Sequence, residues 1–186
     1  MKRYTPTLLV TLLLCGAVGA SAQRGEPISL KLSIWGVKTI KVDGKATEQL
    51  LASPGSVNPG ETVEYCIVYT NTGGAAGNFV LQDYVPVGMV AQLSAYGTSG
   101  KGGTGDLLGL KYAAGVALAV GDVDSNTVTP KLTSKGGNDV GALSTVPVTN
   151  PGDPAGSPQR PGVMTLTLPS VAGNSRGTVC FQAKVP

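Results

Sequence analysis

Residues 28–34 alternate without a break, Ile28, Leu30, Leu32 and Ile34 against Ser29, Lys31 and Ser33. A period of two predicts a strand with one buried face, which residues 35–42 can continue past a bend at Gly36. Residues 61–70 repeat the pattern, with Val63, Tyr65, Ile67 and Tyr69 on one face and Glu64, Cys66, Val68 and Thr70 on the other. Residues 163–168 and 178–185 alternate as well, the last run turning Val179, Phe181, Ala183 and Val185 inward. Residues 79–85 read as a strand closed by Pro86 and Gly88, residues 89–96 as another, and residues 107–120 as one or two more with breaks at Gly109 and Gly115. Residues 45–51 read as a short helical turn or a loop. The runs Ser53-Pro54-Gly55, Asn58-Pro59-Gly60 and Asn71-Thr72-Gly73-Gly74 are turn chemistry. Residues 97–106 form a Gly, Ser and Thr loop, residues 122–140 are polar and irregular, and residues 150–161 hold four prolines and cannot be a central strand.

Composition points the same way. The chain has 27 Gly, 13 Pro and one Trp among 186 residues, and only 13% of it is charged. Many short strands joined by turns are expected, in one all-β domain arranged as an antiparallel sandwich. The N-terminus reads as a secretory signal peptide over residues 1–22: Lys2 and Arg3, an apolar core over residues 8–18, then Ala20-Ser21-Ala22 before Gln23. Lipidation at Cys15 is disfavoured because Leu14 stands where a small residue is wanted. The expected mature domain is residues 23–186, exported to a cell surface, the periplasm or the exterior, with no later apolar stretch of membrane-spanning length. Removing Lys2 and Arg3 from the 14 basic residues leaves 12 against 11 acidic ones, so the mature chain is nearly neutral. It shows no basic stripe, and a nucleic-acid partner is not expected. Two cysteines remain in it, Cys66 and Cys180, and an even pair in an exported chain reads as a disulfide. Both fall opposite the apolar sets of their strands, on the outer face of the sheet. A bond between them requires neighbouring strands of one sheet, because Cα atoms beyond about 7 Å cannot be bridged.

The run Ser56-Val57-Asn58-Pro59-Gly60-Glu61-Thr62-Val63-Glu64-Tyr65, followed by Val68-Tyr69-Thr70-Asn71-Thr72-Gly73, resembles the conserved-repeat surface domain known as domain-of-unknown-function family eleven. Val80-Leu81-Gln82-Asp83-Tyr84-Val85-Pro86-Val87-Gly88 matches its next segment, and residues 178–185 suit its closing strand. The resemblance covers residues 56–93 and, less specifically, 163–186. It implies an immunoglobulin-like fold and a place on a microbial surface. The chain departs from it by carrying one copy, by a longer N-terminal strand region, and by a loop-rich insertion at about residues 94–162.

Candidate chemistry is thin. Histidine is absent, which removes the commonest general base and metal ligand. No nucleophile elbow, phosphate loop or dinucleotide fingerprint occurs, so an enzyme is not expected and no cofactor is implied. Asp122, Asp124 and Asn126 open like a calcium loop, but its glycine and closing glutamate are missing. A solvated turn is the preferred reading there, with a weak calcium site as the alternative. Glu64 and Asp83 are lone carboxylates on strands with no evident partner. Trp35, Tyr65, Tyr69, Tyr84 and Tyr96 read as packing residues sooner than as a sugar platform. Two functions remain. One is a structural subunit of a surface or envelope that joins its own copies, or other envelope proteins, by exchanging the strand of Ile28, Leu30, Leu32 and Ile34. The other is an adhesin, or a carbohydrate- or protein-binding module, that uses the insertion.

Overall fold

The computed structural model describes residues 28–51, 55–96, 111–113, 115–122 and 141–186, and every regular element among them is a strand. In chain order these are β1 (Ser29–Val42), β2 (Lys45–Leu51), β3 (Thr62–Asn71), β4 (Ala76–Tyr84), β5 (Val90–Ala91), β6 (Lys111–Ala113), β7 (Val116–Asp122), β8 (Gly141–Ser144), β9 (Val163–Val171) and β10 (Ser175–Lys184). A larger sheet runs β2-β1-β3-β10-β7-β6, with β5 on the end of β10, and a smaller one runs β4-β9-β8. All pairings are antiparallel, and the two sheets form a sandwich.

The main core lies between the sheets. Val63, Tyr65, Ile67 and Tyr69 of β3, Val179, Phe181 and Ala183 of β10, and Val116 and Leu118 of β7 face Leu81, Met164, Leu166, Leu168 and Leu143. Tyr65 and Phe181 oppose each other in register and stack at 5.2 Å, one of the cross-strand aromatic pairs that stabilise sheets. Asn71 closes one end of the sandwich. Its side-chain amide donates to the carbonyls of Gly74 and Ala172, and its Oδ1 accepts from the Gly73 amide. Asn58-Pro59-Gly60-Glu61 turns the chain into β3, with Gly60 at φ 86°, a conformation that favours glycine.

Three expectations are corrected. Residues 45–51 are strand β2, because Asp43 and Gly44 at φ 50° and 77° make a two-residue hairpin turn between Val42 and Lys45. Of residues 89–96 only Val90–Ala91 is strand, and the chain then turns so that Tyr96 is buried. The segment expected as a loop-rich insertion supplies β6, β7 and β8, and β7 is an interior strand of the larger sheet beside β10. The four-proline run is indeed not a central strand, but it is ordered. Val148 and Arg160 pair across it, and Arg160 donates through Nε and Nη2 to both oxygens of Asp153, at 2.7 and 2.6 Å. Residues 97–106 lie outside the described residues.

Pro169 sits inside β9, where it has no N–H for the ladder. Asn78, its opposite number on β4, turns to φ 50° and drops out of the pairing. Gly177 of β10 lies under the Tyr69 ring, where a Cβ would overlap the phenol hydroxyl. Gly177→Ala is therefore expected to cost about 1–3 kcal/mol through overpacking, seen as a lower urea midpoint at unchanged slope.

Candidate functional site

Among the described residues two features could act outside the core: strand β1, next to the edge of the larger sheet, and a buried polar centre on that sheet's other face. The first carries the candidate exchange residues. Ile28, Leu32 and Ile34 pack against the main core without being fully buried, and Leu30 is 40% exposed. In the single chain, β1 pairs with β3 from Ser29↔Thr70 to Val37↔Thr62. On its other side it pairs with β2 only from Gly36↔Leu51 to Val42↔Lys45. Residues 29–35 thus have a strand on one edge only, among the described residues.

The second feature is built around the disulfide. Cys66 of β3 and Cys180 of β10 oppose each other in register and are bonded, with Cα atoms 4.1 Å apart. The two strands are neighbours in one sheet, as the alternation requires, and the bond lies on the face turned away from the main core. That face is not open to solvent. Tyr96 and Ala117 are buried against the disulfide, with Trp35 and Ala95 partly buried beside them.

Glu64 lies inside this second cluster at 0% exposure, and it has partners there, contrary to the expectation of a lone carboxylate with none. The Tyr96 hydroxyl and the Gln182 side-chain amide each donate to its Oε2 at 3.0 Å. The same Gln182 amide reaches Glu48 of β2 at 3.4 Å. Burial pushes the Glu64 carboxyl above the ordinary range, the hydrogen bonds from Gln182 and Tyr96 oppose that, and the Glu48 charge adds to it. Glu48, Tyr96 and Gln182 were not singled out from the sequence. The alternation puts Gln182 on the face of Glu64, but burial of that face depends on elements far along the chain.

Glu64, Cys66 and Cys180 bring potential ligand atoms within 4.8 Å of one another. The two sulfurs are bonded to each other and have no thiolate to offer, so the oxidised protein has no metal set there. Asp122 is the last residue of β7, opposite Ser175, while Asp124 and Asn126 of the weak calcium candidate lie outside the described residues. The aromatic residues do not gather into a platform: Tyr65 and Tyr69 are in the main core and Tyr96 in the second cluster.

Asp83 points from β4 toward the sandwich interior, and its Oδ2 is buried without a hydrogen bond. Burial pushes its carboxyl up to about 6, against the pull of the Tyr84 amide and the Arg160 charge. Among the described residues no helix is long and apolar enough to cross a membrane. Compared with family models, curated proteins and solved structures, the chain matches none.

Two outcomes follow from the geometry. A folded-state pKa of about 6 for Asp83, above its ordinary 3.8, means that the folded protein holds this proton to higher pH than the unfolded chain does. Stability from this group is then greatest below about pH 4 and falls as pH rises through 6. Asp83→Asn should raise stability at pH 7.5 by on the order of 2–3 kcal/mol and leave it nearly unchanged at pH 4, read from urea midpoints at the two pH values. Replacing Cys66 and Cys180 together with Ala should cost about 2–5 kcal/mol, read as a lower melting temperature that reductant no longer changes.

Proposed function

We propose that this chain is an exported, non-catalytic structural protein of a cell surface or envelope, whose copies join by passing the N-terminal strand between them. The observation that carries this reading is where β1 stands relative to the covalent staple. Cys66 and Cys180 are 114 residues apart and close a loop around everything from β4 to β9. β1 and β2 lie outside that loop, at the sheet edge, so they can leave without breaking a covalent bond. Because β2 pairs with no strand other than β1 among the described residues, the unit that moves is the β1–β2 hairpin, and the turn at Asn58-Pro59-Gly60-Glu61 leads from it into β3. Half-burial of Ile28, Leu32 and Ile34 keeps the cost of leaving lower than for β3 or β10, while the acceptor groove beside β3 is the same in every copy. The signal-peptide reading and the resemblance to conserved-repeat surface domains support export and a surface setting. The buried disulfide is compatible with it.

A second reading is an adhesin. It is favoured by the ordered loop at residues 145–162, which the bidentate Asp153–Arg160 pair holds and which carries the exposed Val146. A rigid loop on a sandwich end is a common recognition surface.

The test ties β1 to β3. Val37 and Thr62 oppose each other in register, so Val37→Cys with Thr62→Cys would close the hairpin onto its own body. Negative-stain electron microscopy with an antibody label should show filaments or a lattice for the unmodified mature protein, on cells and in purified form. The tied variant should form none. Filaments from the tied variant would overturn hairpin exchange. Dispersed molecules of the unmodified protein in both settings would favour the adhesin.

A further inference from the structure

Glu64 meets the disulfide with its two oxygens differently engaged. Oε2 accepts from the Tyr96 hydroxyl and the Gln182 amide, each at 3.0 Å. Oε1 lies 3.6 Å from the Sγ of Cys66, and a carboxyl oxygen and both sulfurs lie within 4.8 Å of one another. The two donors hold the carboxyl against the bond. A glutamine would accept the same two hydrogen bonds without the cost of burying an ionisable group, so hydrogen bonding alone does not account for a glutamate at 0% exposure. What a glutamate adds is a proton that it can give up or take back beside the sulfurs.

Thiol–disulfide exchange needs such a proton. The sulfur that leaves a disulfide departs as a thiolate, and it leaves more slowly the higher its pKa. Apolar burial raises the pKa of a thiol. Cys66, nearly covered and packed with Tyr96 and Ala117, is therefore a poor leaving group unless it is protonated as it goes. We infer that Cys66–Cys180 is a site of exchange with small thiols and their disulfides, and that Glu64 carries the proton to and from Cys66. In reduction the thiolate of a small thiol attacks Cys180 Sγ and forms a mixed disulfide there. The bond to Cys66 breaks, its electron pair goes to Cys66 Sγ, and Cys66 takes the Glu64 proton, which solvent restores. A second small thiol then attacks the mixed disulfide at its outer sulfur, and Cys180 leaves with the electron pair and gains a proton. Two small thiols are oxidised to one disulfide, and the protein disulfide is reduced to two thiols. Oxidation runs the same steps in reverse, with Glu64 accepting the Cys66 proton. Cys66 is the sulfur that leaves because Oε1 is in contact with it.

The titratable groups around Glu64, among the described residues, are Tyr96, the two cysteines and, across the Gln182 amide, Glu48 of β2. Gln182 of β10, Trp35 of β1 and Ala117 of β7 are uncharged. Burial makes the Glu64 carboxyl hold its proton to higher pH than an exposed glutamate does. Donation to Cys66 is accordingly strongest in acid and fades as pH rises and Glu64 ionises. Both sulfurs are covered, so exchange waits on an opening of that cover. This chemistry stands whether or not copies of the chain exchange β1–β2.

The experiment reduces the folded mature protein with glutathione, in the range where the rate still rises with glutathione concentration. Samples are quenched by alkylation and read by mass spectrometry, and each rate is divided by the glutathione thiolate present at that pH. Glu64→Gln keeps the size of the side chain and its two hydrogen bonds but has no proton to give. At pH 5 the unmodified protein should react at least about ten-fold faster than Glu64→Gln, and the ratio should fall to one or below by pH 8.5. The first product should carry glutathione on Cys180 and the alkyl group on Cys66. In urea strong enough to unfold both proteins, where Glu64 is no longer held against the bond, the two should react alike. A ratio near one at every pH in the folded proteins would overturn the inference, as would a faster Glu64→Gln protein at pH 5. A difference that persists unchanged in urea, or a mixed disulfide found mainly on Cys66, would overturn it too.

Discussion

The antiparallel pair of β3 and β10 carries the rest of this structure. The two strands meet over ten residue pairs, from Asn71↔Ser175 to Thr62↔Lys184. On one side they present the tyrosines, Phe181 and valines of the sandwich core. On the other they hold the disulfide, Glu64 and Gln182. Because successive side chains alternate, one ladder supplies both clusters, and a shift of one residue would exchange them. The direct opposition of Cys66 and Cys180 allows a bond only in the native register, so the staple and the aromatic stack of Tyr65 on Phe181 enforce the same alignment.

The second cluster changes what the outer face of the sheet can do. A carboxylate at 0% exposure beside a disulfide is costly, and the structure offsets that with hydrogen bonds from Tyr96 and Gln182. Glu48 reaches the same Gln182 amide from the hairpin. Trp35 of β1 lies opposite Glu64. The mobile unit of the proposed assembly thus also covers the polar centre. Departure of the hairpin would uncover Glu64, and return would bury it, so docking of β1–β2 is tied to the state of a group on the stapled body. The main core, closed by Asn71 at one end and by the turn at Gly60 near the other, receives Ile28, Leu32 and Ile34 from the same N-terminal region.

Edges and loops divide the remaining work. Asn78 opposite Pro169 spoils the edge of β4. The Asp153–Arg160 pair fixes the proline-rich loop. Both keep parts of the sandwich from pairing with other chains or from fraying.

Alternation alone determined much of this. The period of two in residues 28–34, 61–70, 163–168 and 178–185 placed β1, β3, β9 and β10 and chose their core faces correctly, because one buried face leaves a direct imprint on sequence. The same rule turned Cys66 and Cys180 away from the core, so that a bond between them required neighbouring strands. Asp43-Gly44 is a hairpin signal in the sequence, but without it residues 45–51 read as a short helical turn or a loop, and β2 was missed. The partners of Glu64 were not legible. Its burial comes from Tyr96, Trp35 and Glu48, brought from three other segments, and no local period encodes contacts between segments so far apart. The membership of β7 in the larger sheet was hidden for the same reason. Local sequence sets which face of a strand is apolar, whereas which strands lie side by side, and what covers the other face, is decided only when the whole chain closes.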